Sequence, residues 1–351
     1  MDHRPPTLRL RRLRLPLLTA TLLLGTILSS SALAAPAPSG PGLTETPTAP
    51  NSTATTFDRA TRPNTLLQVK VTYQRDQSRS FDPIRQELLT RIDDHLGQVA
   101  IAIVDLQTGE RFHINGETLH LAGSVIKVYI GLSAWRLVQE GLLSSSTVDT
   151  LLYEVFINQS NFAAEILAQM VGFEAINEEM RRFGAHNSIL THHPGYTTEQ
   201  APGYIANSNL MTALDSIDTL TSLWNGDALS HEASRSFLDR MDSTLVDLGL
   251  TAGLPAEARI KRKIGWVIPS DSDPLWLNAD AVNDIAIVQF DRNSETHAYG
   301  IGVFMQRNLN QHDAWILIKE ISRIVWDFFA EERYPHAQPA VLNAGSVGDA
   351  G

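Results

Sequence analysis

The fold of this 351-residue chain is constrained most strongly by the order of its predicted strands and helices. Strand-like segments lie at both ends of the predicted domain, and helical segments lie between them. Residues 98–105 and 110–114 are β-rich on either side of a Gln-Thr-Gly turn, which predicts an antiparallel hairpin. Much later, residues 284–290 and 297–305 predict a second pair of strands. Strands from both ends that enclose helices favour one α+β domain rather than two domains.

The helical segments of that domain are indicated by apolar residues at three- and four-residue spacing. One helix is expected from residue 81 to residue 96, and another over 127–140, where Gly141 ends the pattern. Short helices fill 145–255, and an amphipathic helix over 313–332 closes the domain. We therefore predict one domain over 81–335 with an all-α part at about 130–255, followed by a flexible tail at 336–351.

The N-terminus has the composition of an export signal. Several arginines precede an apolar run over 15–28, and a small-residue segment ends at Ala34, which predicts a signal peptide over residues 1–34. An uncleaved membrane anchor is the alternative, although the apolar run is shorter than the ~20 residues that span a bilayer comfortably. Residues 35–80 begin with a Pro/Thr/Ser-rich stretch and are interpreted as a linker. We expect a secreted or periplasmic protein of the bacterial cell envelope.

Cysteine content and charge exclude several functions. The chain has no cysteine, which rules out a thiol nucleophile and a Cys-based zinc site. Removal of residues 1–34, which carry a net charge of +4, lowers the formal net charge from −11 to −15. Such an acidic mature chain, without a run of Lys and Arg, argues against binding of nucleic acid. We expect no cofactor, no metal and no nucleic-acid partner, membrane contact only through an uncleaved signal, and a monomer.

Ser124 and Lys127 form the pattern that points most directly to chemistry. Three residues apart at the start of a helix, they lie on one face, where the amine can take the proton of the hydroxyl. A serine hydroxyl needs such a base to become a nucleophile, and a lysine can act as one only if its pKa is lowered. The alternative interpretation of Lys127 is a solvated charge on the helix surface.

A hairpin precedes Gly123-Ser-Val-Ile-Lys127, and Lys263-Ile-Gly265-Trp266 follows much later in the chain. This order resembles that of class A β-lactamases and related penicillin-recognising serine hydrolases, which have a Lys-Thr-Gly strand motif at the place of Lys263. The resemblance covers roughly residues 81–332. It implies a three-layer sandwich, in which helices flank an antiparallel sheet of N- and C-terminal strands and an all-α subdomain is inserted.

The resemblance also implies roles for these residues. Ser124 would be the nucleophile and Lys127 the general base, while Lys263 would bind a substrate carboxylate and lower the pKa of that base. The backbone N–H groups of Ser124 and Trp266 would form an oxyanion hole, with Gly265 beside the substrate. A strand-end charge beside Lys261 and Arg262 is the alternative for Lys263.

The remaining family motifs match less well. Gln159-Ser160-Asn161 aligns with a Ser-x-Asn motif, so glutamine stands where a catalytic serine belongs. Ser160 would supply the hydroxyl if the loop shifts by one residue, and Asn161 would orient the substrate; a helix N-cap is the alternative for this stretch. No Glu-x-x-Leu-Asn supplies a deacylating glutamate. Glu199 occupies the right loop by order alone, and a solvated loop carboxylate is its alternative.

Two functions fit these residues. The first is an exported serine hydrolase that forms an acyl-enzyme at Ser124 on a β-lactam or a peptidoglycan-type amide, with the small molecule or cell-wall peptide as its partner. The second is a catalytically weak penicillin-binding, cell-wall-binding or protein-binding module on the same fold. The altered Ser-x-Asn motif and the missing glutamate motivate the second function.

Overall fold

The described part of the chain belongs to one compact unit, Thr65–Gly351. The computed structural model describes residues 79–95, 98–194, 208–241, 247–268 and 278–336. The predicted signal (1–34), nearly all of the linker (35–80) and the tail beyond residue 336 lie outside them. Within those ranges, no helix combines the length and the apolar character needed to cross a membrane.

Seven strands are described, five of which form the main sheet. In chain order the strands are β1 (Val99–Asp105), β2 (Arg111–Ile114), β3 (His120–Leu121), β4 (Leu210–Met211), β5 (Arg259–Val267), β6 (Asn278–Arg292) and β7 (Glu295–Asn310). The sheet is antiparallel in the order β2-β1-β7-β6-β5, and β3 pairs separately with β4. Because β1 pairs with β7 along its whole length, the strands from the two ends of the domain form one sheet.

The described helices cover both faces of this sheet. They are α1 (Asp82–Arg91), α2 (Lys127–Gln139), α3 (Ser145–Phe156), α4 (Asn161–Val171), α5 (Phe173–Arg182), α6 (Ala213–Asn225), α7 (His231–Arg240), α8 (Gly249–Ala252) and α9 (Gln311–Asp327). A 3₁₀ turn, Gly123–Ile126, leads into α2, and a π-helical turn, Phe328–Arg333, follows α9.

Strand β1 shows how the sheet separates two cores. All of its residues are buried, and their side chains alternate between the two faces. Ile101 and Ile103 pack in the core shared with α1 and α9. Ala102 and Val104 pack in the core shared with α2 to α7. The predicted α+β sandwich, with terminal strands in its sheet and helices inserted between them, is confirmed.

Element ends differ from the predicted ones in places. Helix α1 ends at Arg91 instead of continuing to residue 96, and a short 3₁₀ turn, Asp93–His95, follows it. Two aspartates at that point place negative charge against the negative end of the helix dipole, which disfavours a longer helix. Strands β6 and β7 extend beyond the predicted 284–290 and 297–305, because their backbone pairing continues through polar residues where the apolar alternation stops.

Candidate active site

Ser124 lies in the 3₁₀ turn between β3 and α2, and a glycine allows this turn to approach the edge of the sheet. Gly123 has a φ of +52°, a conformation that side chains with a Cβ rarely adopt. A Cβ at Gly123 would lie 2.9 Å from the backbone nitrogen of Trp266 in β5. The backbone N–H of Lys127 donates to the carbonyl oxygen of Ser124, so the two predicted residues share one helical turn.

Asn283 holds the segment that precedes Ser124. Its buried side chain in β6 donates through Nδ2 to the carbonyl oxygens of Leu121 (2.7 Å) and Ala122 (3.0 Å). Its Oδ1 accepts from the backbone N–H of Met305 at 3.4 Å. One amide therefore ties the segment that leads to Ser124 directly to the sheet. The sequence did not predict this role of Asn283. Its position directly before the apolar strand that ends at Val288 was nevertheless a signal, because a polar residue in a buried strand needs hydrogen-bond partners.

Gly265 brings the backbone of β5 against the backbone of the Ser124 turn. A Cβ at this position would lie 2.6 Å from the nitrogens of both Ser124 and Val125. The backbone groups of Ser124 and Trp266, the two expected oxyanion donors, therefore lie on facing segments. Oxyanion donation by these groups stays a prediction, but only a residue without a side chain allows their close approach.

Gly265→Ala is therefore expected to lower the free energy of unfolding by about 1–3 kcal/mol, the usual cost of overpacking. The added methyl group has backbone, not a flexible side chain, as its neighbour and must displace the Ser124 turn. Urea denaturation followed by circular dichroism measures this change. Gly109→Ala is the control, because a Cβ there meets nothing within 4 Å and its φ of +75° adds backbone strain alone. Equal losses in the two variants would contradict the proposed clash.

Lys127 is completely buried, which removes the alternative of a solvated surface charge. Its Nζ donates to the carbonyl oxygen of Gln159 at 3.0 Å. Burial lowers the pKa of Lys127 to about 8, because the charged form loses its hydration. About a tenth of Lys127 is thus neutral at pH 7 and able to accept a proton.

Lys263 also donates to Gln159, and its charge interacts with that of Lys127. Its side chain, 1% exposed in β5, donates from Nζ to Oε1 of Gln159 and to the carbonyl oxygen of Ile264 at 3.2 Å. Burial lowers its pKa well below the usual value, and the charges of Lys127 and Arg262 lower it further. The structure thus brings together the two lysines that are far apart in the sequence.

Gln159 joins the two lysines from the loop between α3 and α4. Its backbone oxygen accepts from Lys127 and its side-chain oxygen accepts from Lys263, while its Nε2 donates to the carbonyl oxygen of Phe156 at 2.8 Å. Gln159 also has a φ of +57°, which is uncommon for a residue other than glycine. The alignment placed Gln159 at the serine position of the Ser-x-Asn motif, but it did not predict that one residue would contact both lysines.

The neighbouring Ser160 and Asn161 lie at the start of α4. Ser160 is the N-cap, and its Oγ accepts from the backbone N–H of Ala163 at 3.1 Å. This is the N-cap arrangement that was the alternative for this stretch, and it places Gln159 rather than Ser160 at the lysines. Catalysis by the Ser160 hydroxyl stays a prediction. Asn161, the first residue of α4, is exposed and accessible to a ligand.

A buried ion pair joins β5 and β6 at the residue that precedes Lys263. Arg262 and Asp284 are both completely buried, with Nη2 and Oδ2 3.3 Å apart. Asp284 also accepts from the backbone N–H of Leu250 at 3.0 Å, and Arg262 donates to the carbonyl oxygen of Leu248 at 2.9 Å. Burial raises the pKa of Asp284 to about 6, although the Arg262 charge opposes this shift. The sequence reasoning treated Arg262 only as a neighbouring charge.

Two other predictions are not addressed by these contacts. Glu199, the candidate deacylation base, lies outside the described residues. In the part of the chain that the structure describes, no three His, Asp or Glu side chains are grouped so that they could hold a metal ion.

Solved structures with the same fold include several β-lactamases. The structure is similar to a β-lactamase from Chitinophaga pinensis, with a TM-score of 0.62 and 20% identity over 71% of this chain and all of the other. A β-lactamase from Sphaerobacter thermophilus gives a TM-score of 0.58 and 19% identity over 70% of this chain and 97% of the other. PBP-A gives a TM-score of 0.57 and 18% identity over 70% of this chain and 96% of the other. A mutant of PBP-A was solved as an acyl-enzyme complex with penicillin G.

The fold is that of the penicillin-recognising serine enzymes. The model of the β-lactamase enzyme family matches residues 83–148 and 144–329, well over half of the chain. The chain therefore belongs to the β-lactamase enzyme family. The predicted family and its fold are confirmed, while a search of curated proteins found no match.

Proposed function

We propose that this protein is an exported serine hydrolase that forms an acyl-enzyme at Ser124 on a β-lactam or a peptidoglycan-type amide. The observation that carries the proposal is the pair of buried lysines held by Gln159, one of which shares a helical turn with Ser124. The penicillin G acyl-enzyme of the structurally similar PBP-A mutant supports this choice of substrate class. Export to the bacterial envelope through residues 1–34 is part of the proposal.

Acylation uses the neutral form of Lys127. Its amine takes the proton of the Ser124 hydroxyl as the Oγ–carbon bond to the substrate carbonyl forms. Backbone N–H groups of Ser124 and Trp266 stabilise the developing oxyanion. The amide carbon–nitrogen bond then breaks, and the nitrogen leaves with the proton that Lys127 had accepted. Lys263 donates to the carboxylate of the substrate, while Asn161 orients its acyl side chain.

The proposal is tested by incubating the purified protein with benzylpenicillin and measuring its intact mass. We expect a mass increase equal to one penicillin molecule, and peptide mapping should place it at Ser124. An adduct at another residue, or no adduct at high penicillin concentration, would contradict the proposed nucleophile. Nitrocefin hydrolysis, measured in parallel, shows whether the acyl group also leaves.

A slow, penicillin-binding form of the same site is the second candidate. It is favoured by Gln159, which has no hydroxyl to pass a proton to the leaving nitrogen. In this case the adduct would form slowly. It would then persist, because no Glu-x-x-Leu-Asn motif in the sequence supplies a deacylating glutamate, and nitrocefin turnover would be very slow. Fast turnover would instead favour a true β-lactamase and a working deacylation base, for which Glu199 is the candidate.

The rate of acylation is expected to rise with pH. Only neutral Lys127 accepts a proton, and with a pKa of about 8 the neutral fraction rises about tenfold per pH unit below 8 and levels off above it. Stopped-flow labelling with a fluorescent penicillin between about pH 6 and pH 9 measures this profile. Lys127→Arg is the control, because a guanidinium stays charged and should lower the rate by about 10²–10⁴-fold. A wild-type rate independent of pH would exclude Lys127 as the base.

A further inference from the structure

The amide of Gln159 is held at both ends. Its oxygen accepts from Nζ of Lys263, and its nitrogen donates to the carbonyl oxygen of Phe156 at the end of α3. The backbone carbonyl of the same residue is bound by Lys127. These three contacts keep the side chain over Lys263 and stabilise a backbone conformation that is unfavourable for a residue with a Cβ.

The position of this amide matters because Lys263 is the cation expected to bind a substrate carboxylate. Lys263 is 1% exposed, and two of its three possible donors go to Gln159 and to the carbonyl oxygen of Ile264. A substrate carboxylate that is to accept from the donor now given to Gln159 must displace this amide. A neutral acceptor within the protein therefore competes with the anionic group of the substrate.

We propose that Gln159 is a specificity-determining residue, which covers Lys263 and lowers the preference of the enzyme for acyl donors that carry a carboxylate. This inference rests on the proposed acylation at Ser124. The weakened cationic character of buried Lys263 acts in the same direction, since a neutral amine attracts a carboxylate less than an ammonium does. Gln159 thus tunes which amides the site accepts, separately from the proton transfer by Lys127.

Two variants change the contact between the side chain of residue 159 and Lys263 in opposite directions. Gln159→Gly removes the side chain, keeps the carbonyl oxygen that Lys127 binds, and suits the φ of +57°. Gln159→Glu keeps the length and places a carboxylate on Lys263. The probes are benzylpenicillin and its methyl ester, which differ only in the carboxylate. The measured quantity is the second-order rate constant for acylation of Ser124 by benzylpenicillin divided by that for the methyl ester.

We expect Gln159→Gly to raise the ratio about tenfold, the effect of one hydrogen bond to a charged group, and Gln159→Glu to lower it by a similar factor. Asn158→Ala is the control, since this exposed neighbour bonds only to Glu154 among the described side chains and should leave the ratio unchanged. Far-ultraviolet circular dichroism checks that each variant is folded. A ratio that stays constant or falls in folded Gln159→Gly would overturn the inference.

A binding experiment separates failure of this inference from failure of the proposed function. Absence of labelling in the wild type and all Gln159 variants would reject acylation at Ser124. In a Ser124→Ala background, calorimetry then compares the affinity for benzylpenicillin and for its methyl ester. If Gln159→Gly increases the ratio of the two affinities about tenfold in favour of benzylpenicillin, the proposed role of Gln159 is supported. An unchanged ratio rejects it.

Discussion

Ser124→Ala is expected to abolish covalent labelling by a fluorescent penicillin, with a fall in the acylation rate of about 10⁴-fold or more. Removing one oxygen atom removes the only atom that forms the proposed bond to the substrate. The change is small for the fold, because Ser124 is only partly buried and its turn is held through backbone contacts and the Asn283 amide. Labelling kinetics and the thermal melting temperature, measured together, separate loss of chemistry from loss of structure.

Ser160→Ala provides the matched comparison, since it deletes a second hydroxyl near the same site. If Ser160 acts as the N-cap of α4, the variant loses about 1 kcal/mol of stability and keeps its labelling. A collapse of labelling in folded Ser160→Ala would instead support the predicted catalytic hydroxyl. Persistent labelling of Ser124→Ala would show that another residue is the nucleophile.

Arg262→Leu is expected to lower the free energy of unfolding by about 3–5 kcal/mol, the cost of leaving a buried charge without its partner. The variant leaves the carboxylate of Asp284 in a site that excludes water. The loss should shrink at acidic pH. The folded-state pKa of Asp284 is already raised to about 6, and removal of Arg262 raises it further, so protonation on acidification relieves the buried charge.

Two further variants test this interpretation of the ion pair. Arg262→Leu combined with Asp284→Asn removes both charges while an amide oxygen can still accept from Leu250, so most of the lost stability should return. Arg259→Leu removes the arginine of an exposed pair with Asp291 on the same two strands and should change stability little. Urea denaturation measures the free energy of unfolding of the wild type, the two single variants and the double variant. Equal effects of Arg259→Leu and Arg262→Leu would contradict a special cost of burial.

The sequence was most informative where chemistry depends on short spacing. Ser124 and Lys127 are three residues apart, so a helical turn was enough to place them together, and the order of the motifs indicated Lys263. Asn283 and the Arg262–Asp284 pair were missed, because their partners come from segments that only the sheet register brings together. The contact of Gln159 with both lysines depends on a left-handed loop residue, which no local pattern predicts for glutamine.

The site is assembled from segments that are distant along the chain, and this has a consequence for folding kinetics. The Lys263–Gln159 contact joins residues 104 positions apart, and the Asn283–Leu121 contact spans 162 positions. Contacts of such length form only after large loops have closed, which is a slow part of folding. Reactivity of Ser124 should therefore appear late in refolding, after the helical circular dichroism signal. The time at which a fluorescent penicillin begins to label the refolding protein would report when the last long-range contacts form.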